Sequence, residues 1–231
     1  MNSDRPAPAS WRERLGPVPL AMASGQRRRI VLGIALGLAV TGAGAALAAT
    51  PGTAAWLCAS MGASAVLVFA LPSSPLSQPW AVVVGHAAAA TAGVATVHLT
   101  AHLPLPAMLA PAFATALAAL LMLLCRCLHA PGGGTAIVPV LAGTTDFGFV
   151  LQPVVANAVV LVASAWSFHR LVGQQYPHAA RAVPDAGRQR FAAADVEVLL
   201  QRHGDWIDLP RDELLRLLDE ADTLRRARRG S

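Results

Sequence analysis

Two histidines stand where an ionisable ring is least expected. His86 lies inside a long apolar run, and His129 lies three residues after Arg126 and three before Gly132-Gly133-Gly134-Thr135. Imidazole is the side chain whose unperturbed titration falls nearest neutral pH, so a histidine in apolar surroundings either handles a proton or needs a permanent hydrogen-bond partner. His86 reads first as a structural ring with a partner. His129, beside a cation and a glycine run, is the better candidate for proton coupling. The glycines add a second chemistry. At a helix start, unpaired amide N–H groups and the helix dipole together attract a small anion, and Thr135 supplies a hydroxyl there. The candidate binding set is His129, Pro131, Gly132, Gly133, Gly134 and Thr135, with Arg126 and His86 around it. A competing reading gives the glycines only a packing role, letting helices cross closely.

A second polar interruption runs from Pro72 to Pro79 and carries Ser73, Ser74, Ser77 and Gln78 in otherwise apolar surroundings. Ser73, Ser74 and Gln78 are candidates for lining the same cavity, or else belong to an ordinary connection between two helices. Gly62 and Ser64 on the preceding run fit close helix packing. His98 and His102 have the spacing of a helical metal pair, but Pro104 and Pro106 disfavour a helix there. Cys58, Cys125 and Cys127 form no metal-ligand spacing, so no metal and no cofactor is expected. Asp146 is the only acid between Ile30 and His169. Intramembrane acids are functional candidates, although Thr144, Thr145 and Phe147 beside it also suit a membrane interface. With no nucleophile elbow, no HExxH and no paired carboxylates, the chain does not read as an enzyme.

The elements that must position these residues follow from where charge is missing. Between Ile30 and Cys125 there is no Asp, Glu, Lys or Arg, and extending the window to His169 adds only Arg126 and Asp146. A charge at the bilayer centre costs at least ~2.5 to 3.5 kcal/mol, so this distribution belongs to a membrane and not to a wetted surface. The expected fold is all-α: a polytopic transmembrane helix bundle of about five spans, with one broken or re-entrant Gly-rich segment and a small C-terminal helical tail. The spans are Ile30 to Thr50, Ala54 to Leu71, Trp80 to about Leu99, Ala107 to Leu128 and Phe147 to Phe168. Between the last two, Pro131 and three glycines disfavour regular helix, and Thr135 to Gly143 is about half a helix. Non-helical backbone at that depth needs protein or a water-filled cavity to satisfy it.

Domain boundaries follow. Residues 1–26 read as a disordered lead-in, 27–178 as the transmembrane domain, and 179–231 as a linker and tail with amphipathic helices at Ala192 to His203 and Pro210 to Arg228. Arg27 to Arg29 and the tail arginines place both termini on the cytoplasmic side, and the expected location is an inner (plasma) membrane of bacterial type. A cytoplasmic C-terminus then requires residues 129–146 to cross the bilayer. The net charge of +5 comes from arginines in the flanks, without an aromatic-interleaved stripe, so nucleic acid is not an expected partner. Lipid is the obligate partner. The leucine face of the last tail helix lacks a partner within the chain, which points to a homodimer.

Three stretches resemble the HPP family of bacterial and plastid membrane proteins. They are Met61-Gly62-Ala63-Ser64 through Pro72–Pro79 to Gly85-His86; Cys127-Leu128-His129-Ala130-Pro131 with its glycines; and Arg170-Leu171-Val172-Gly173 with Tyr176-Pro177-His178. The signature reads His-Ala-Pro here, lacking the first proline, and Trp80 stands where many members place a basic residue. Some members are associated with nitrite transport. The resemblance implies a transporter or channel-like permease for a small solute, such as a small anion like nitrite. The alternative is a membrane scaffold or sensor whose tail binds a cytoplasmic partner.

Overall fold

The computed structural model describes residues 24–48, 58–102, 106–178, 214–219 and 222. The chain divides into two compact units, Met1–His178 and Ala179–Ser231. In the second, residues 214–219 are helical, with Leu215 buried and Leu217 exposed. The expected helix at Ala192 to His203 lies outside the described residues.

Among the described residues, the first unit is a bundle of six apolar helices: α1 (Ser24–Ala48), α2 (Cys58–Ala70), α3 (Pro79–His102), α4 (Ala110–Leu124), α5 (Gly132–Ala142) and α6 (Ala156–Leu171). Among the described residues, three stretches are long and apolar enough to cross a membrane: Gly25–Leu47, Pro79–His102 and Val150–Leu171. The other three helices are apolar but shorter. At ~1.5 Å per residue the 15 residues of α4 reach only ~22 Å, less than a hydrocarbon core of ~30 Å. Exposed leucines and valines such as Val31, Leu36, Leu47, Leu123, Leu141 and Leu171 give the bundle its lipid-facing surface.

Helix ends are set by local chemistry. Pro79 opens α3, where a missing N–H costs nothing. After α4, Arg126 takes a left-handed φ of 51°, Cys127 N–H donates to Met122 C=O at 2.9 Å and Arg126 N–H to Leu123 C=O at 3.2 Å. That pair of bonds is a Schellman cap, made here without glycine. Gly143 (φ 64°) and Gly173 (φ 70°) end α5 and α6 in the same backbone region.

Side-chain contacts fix the direction of each pass. Trp80 Nε1 donates to the Cys125 carbonyl at 3.2 Å, placing the exit of α4 beside the start of α3. At the far end of α3, His98 Nε2 bonds the Thr145 carbonyl at 2.8 Å. Residues 125–145 therefore run the length of α3 from Trp80 to His98, ~27 Å at helical rise. Arg29, Ala70 and His169 line one cavity, so the start of α1 and the ends of α2 and α6 share the end where α3 begins.

Two cores hold the bundle. Met61, Ala65, Val68, Phe69, Leu161 and Ala165 join α2 to α6 and α1. A Cβ on Gly33 or Gly37, one turn apart on α1, would lie 2.5 Å from the Phe69 ring, so the ring rests in a groove that only glycine leaves open. The other core is made of Ala89, Ala92, Ala114, Ala118, Met122, Cys127 and Ala136, from α3, α4, α5 and the loop after α4. Small residues let these helices approach until backbone limits the crossing, the packing that membranes favour when hydrophobic burial gives no drive. A Cβ on Gly93 would meet the Ala136 carbonyl and the Pro139 ring.

Four expectations need correction. His98 and His102 both lie within α3, since Pro104 and Pro106 fall beyond its last residue and do not break it. The three glycines are not a non-helical turn; they form the first turn of α5, because close packing of Gly132 against Met122 and Ala89 outweighs their poor helix propensity. Helix α1 begins at Ser24, before its arginines, since straight-chain Arg is a good helix former and its charged end stays exposed. The last span is not one regular helix: Val150–Val155 is a wide π-type turn in which Gln152 is non-helical (φ −127°, ψ 108°), and Pro153 after it lacks the N–H a regular turn needs.

Candidate functional site

Four side chains from four segments meet inside the bundle. Ser64 comes from α2, His86 from α3, His129 from the loop after α4 and Thr135 from the first turn of α5. Ser64, His86 and His129 are 0% exposed and Thr135 is 2% exposed, so water does not satisfy them and each needs a protein partner.

They satisfy one another in a line. Thr135 Oγ1 lies 2.7 Å from His86 Nδ1, and His86 Nε2 lies 2.8 Å from Ser64 Oγ. Ser64 Oγ lies 2.9 Å from His129 Nε2, and His129 Nδ1 lies 2.8 Å from the Leu76 carbonyl. The two rings meet edge to face with centroids 4.8 Å apart. Ser64 Oγ also lies 2.9 Å from the Ser60 carbonyl one turn back. Gly85 makes the arrangement possible, because a Cβ there would lie 2.7 Å from His129 Cβ and 2.8 Å from the Cys127 carbonyl oxygen.

Of the residues singled out in the sequence, His86, His129 and Thr135 are joined. Ser64, read there as a packing residue, is the link between the rings; its spacing of four from Ser60 on a buried face was the available signal. Pro131 and the glycines form the turn that carries Thr135. Their amides are already engaged: Gly132 N–H donates to His129 C=O at 2.8 Å, Gly133 to Ala130 at 3.1 Å and Gly134 to Pro131 at 3.1 Å. Arg126 is exposed in its cap.

Ser73 is exposed, while Ser74 and Gln78 build the turn that presents Leu76. Ser74 Oγ accepts from Leu76 N–H at 3.3 Å, and Gln78 Nε2 donates to Pro72 C=O at 3.0 Å and Ser74 C=O at 2.9 Å. The segment after α6 fastens the same turn. Tyr176 donates its hydroxyl to Ser77 C=O at 3.0 Å, and His178 N–H donates to Gln78 Oε1 at 2.9 Å. Burial pushes the Tyr176 phenol up from its ordinary value, so it stays a donor. Asp146 is exposed and accepts from Gly148 N–H at 2.7 Å, a local turn. A cavity of about 270 Å³ opens at the arginine-bearing end between Arg29, Phe69, Phe168, His169 and Gln174; none of the four joined side chains lines it.

A family model for the HPP transmembrane region matches residues 21–177, which covers every helix of the bundle and all four joined side chains. The chain belongs to the HPP transmembrane family. Two proteins of Dictyostelium discoideum, both described as transmembrane proteins, are similar to this HPP chain. One is 34% identical over 116 residues, 47% of this chain and 39% of the relative. The other is 35% identical over 117 residues, 48% of this chain and 36% of the relative. The chain thus spans well under half the length of these relatives. No solved structure matches it. In this HPP chain the signature histidine, His129, is the ring that binds the Leu76 carbonyl.

Proposed function

We propose that this integral membrane protein is a transporter or channel-like permease for a small solute. The observation that supports it is the buried line Thr135–His86–Ser64–His129, set where the short helix α5 begins inside an otherwise apolar bundle. Polar and ionisable groups are expensive at such depth and mark solute or proton paths, and transporters place them beside interrupted helices. A small anion such as nitrite is the first substrate to test, on the family resemblance. The occupied amides of Gly132 to Gly134 mean that an anion would be met by side chains or by a rearranged α5. Arginines gathered at one end of the bundle favour an orientation with that end in the cytoplasm of a bacterial inner membrane.

The test is uptake into proteoliposomes holding the full chain, compared with empty vesicles, for nitrite, nitrate, formate and chloride. Flux above the empty vesicles for at least one anion is expected. No flux across the panel would sink the reading for small anions.

A further inference from the structure

With both rings neutral, only one arrangement of hydrogens gives every ring nitrogen of the line a partner. The Leu76 carbonyl can only accept, so His129 carries its hydrogen on Nδ1. Its Nε2 is then bare and takes the Ser64 hydroxyl proton. Ser64 has one proton to give, so it must accept at its other ring contact, and His86 carries its hydrogen on Nε2. His86 Nδ1 is bare in turn and accepts from Thr135. The rings are held in opposite tautomers, and every donor points from Thr135 toward Leu76.

We propose that this line is a one-proton relay that charges His129 from the Thr135 side and releases the proton only when the Leu76 carbonyl withdraws. The inference rests on the transport reading and names the ion that transport would couple to. In the charging step, Thr135 passes its hydroxyl proton to His86 Nδ1 and is reprotonated by a hydronium ion on its far side. His86 passes its Nε2 proton to Ser64, and Ser64 passes its own to His129 Nε2. Each bond to hydrogen that breaks is matched by one that forms, and the net change is one proton on His129. No heavy atom need move, since separations of 2.7, 2.8 and 2.9 Å suit a hydrogen bond of either polarity. Afterwards Ser64 accepts from His129 and donates to His86, which donates from Nδ1 to Thr135. His86 stays neutral but has exchanged tautomers.

Beyond His129 the relay stops. A carbonyl has no proton to hand on, so the Nδ1 hydrogen leaves only when it meets water in place of Leu76. The turn that holds Leu76 is fastened by Ser74, Gln78, Tyr176 and the His178 amide. Release is therefore tied to movement of that turn. Helices α4 and α5 bring no titratable side chain to the line. The loop brings buried Cys127 and exposed Arg126, α3 brings His86, and α6 brings His169, which bonds Val68 C=O one turn along α2 from Ser64. Asp146 is remote, beside the far end of α3 where His98 bonds its neighbour Thr145.

The Ser60 carbonyl offers a competing outcome. Were Ser64 to turn its hydroxyl there, His129 would gain a proton while His86 kept its Nε2 hydrogen. The full chain, labelled with 15N-histidine in nanodiscs, separates the two as pH falls from about 9 to about 4, the range that brackets imidazole titration. Resonances are assigned with His86→Asn and His129→Asn. Expected are opposite tautomers at high pH, then a doubly protonated His129 together with a switch of neutral His86 from Nε2–H to Nδ1–H. Protonation of His129 without the switch, or no titration of either ring, overturns the relay. Ser64→Ala should abolish the switch, and Ser64→Cys, whose thiol donates weakly, serves if the alanine variant fails to fold. A switch that persists in the variant also overturns it. The spectrum needs no transported solute. Silent vesicles with the switch would remove the transport reading and keep the relay, and flux without the switch would do the reverse.

Discussion

His169 and the His86–His129 pair are all buried in the bundle and each set rests on a main-chain carbonyl, but only the pair also has hydroxyl partners. His169 Nε2 donates to the Val68 carbonyl at 3.1 Å, and its Nδ1 faces the Gln174 side-chain amide at 3.2 Å. The other two rings are bridged by the hydroxyls of Ser64 and Thr135. A main-chain carbonyl only accepts, so it fixes which ring nitrogen carries the hydrogen and holds the ring in place. A hydroxyl both gives and takes a hydrogen, so the same geometry serves two proton arrangements. Burial alone therefore does not tell a structural histidine from a working one; the chemistry of its partners does.

The largest expected effect comes from Gly85→Ala. The added Cβ would press on His129 Cβ and on main-chain oxygen, neither of which yields, so a loss of ~1 to 3 kcal/mol is expected together with loss of flux. Thermal unfolding in detergent beside initial uptake rate measures both. Wild-type flux from this variant would show that the position of His129 is immaterial.

Next is a matched pair of substitutions on the two histidine sites. Ser64→Ala leaves two ring nitrogens facing each other without their shared hydroxyl, at ~1 to 3 kcal/mol, and should abolish proton-coupled flux. His169→Gln keeps an N–H donor for Val68, so it should cost ~1 kcal/mol or less and leave flux intact. Equal losses of flux in both would erase the distinction between the sites.

Tyr176 probes the fastening of the Leu76 turn. Removing its hydroxyl as Tyr176→Phe should cost ~0.5 to 1.5 kcal/mol. Burial raises the phenol above its ordinary value of about 10, so folding favours the neutral form. Its contribution is full below the unfolded value of about 10 and is lost as pH rises through the folded one. Stability measured against pH should show an alkaline decline in the wild type that shrinks in the phenylalanine variant. The same decline in both would assign it to another group.

The smallest effect belongs to Gly133→Ala and Gly134→Ala. A Cβ there would lie 3.5 Å from Thr115 Cγ2 or 3.8 Å from Ser60 Cβ, ordinary contact, and alanine favours helix over glycine by ~0.5 to 1 kcal/mol. Unchanged or slightly higher stability with unchanged flux is expected. A stable variant with impaired flux would restore the glycine backbone as an anion site.

The helical membrane class was legible because absence of charge over a long window has one physical explanation. His86, His129 and Thr135 were legible because such groups are costly in apolar runs. Ser64 was not, since a serine among alanines and glycines looks like a packing residue until a partner from another helix is placed against it. The Leu76 carbonyl has no sequence signal at all; a main-chain acceptor is chosen by the fold of the turn around it. Propensity misread the glycine run, because a contact with Met122 and Ala89 decides that turn, and it passed over Gln152-Pro153, where the last crossing breaks.

Pro139 has a bearing on hydration. It sits inside α5, four residues after Thr135, and a proline has no N–H to return to the carbonyl four residues back. The Thr135 main-chain oxygen thus lacks its regular helical donor, on the same residue whose hydroxyl opens the buried line. A water molecule admitted to α5 at this point would find a main-chain acceptor without its helical donor, on the residue whose hydroxyl opens the buried line.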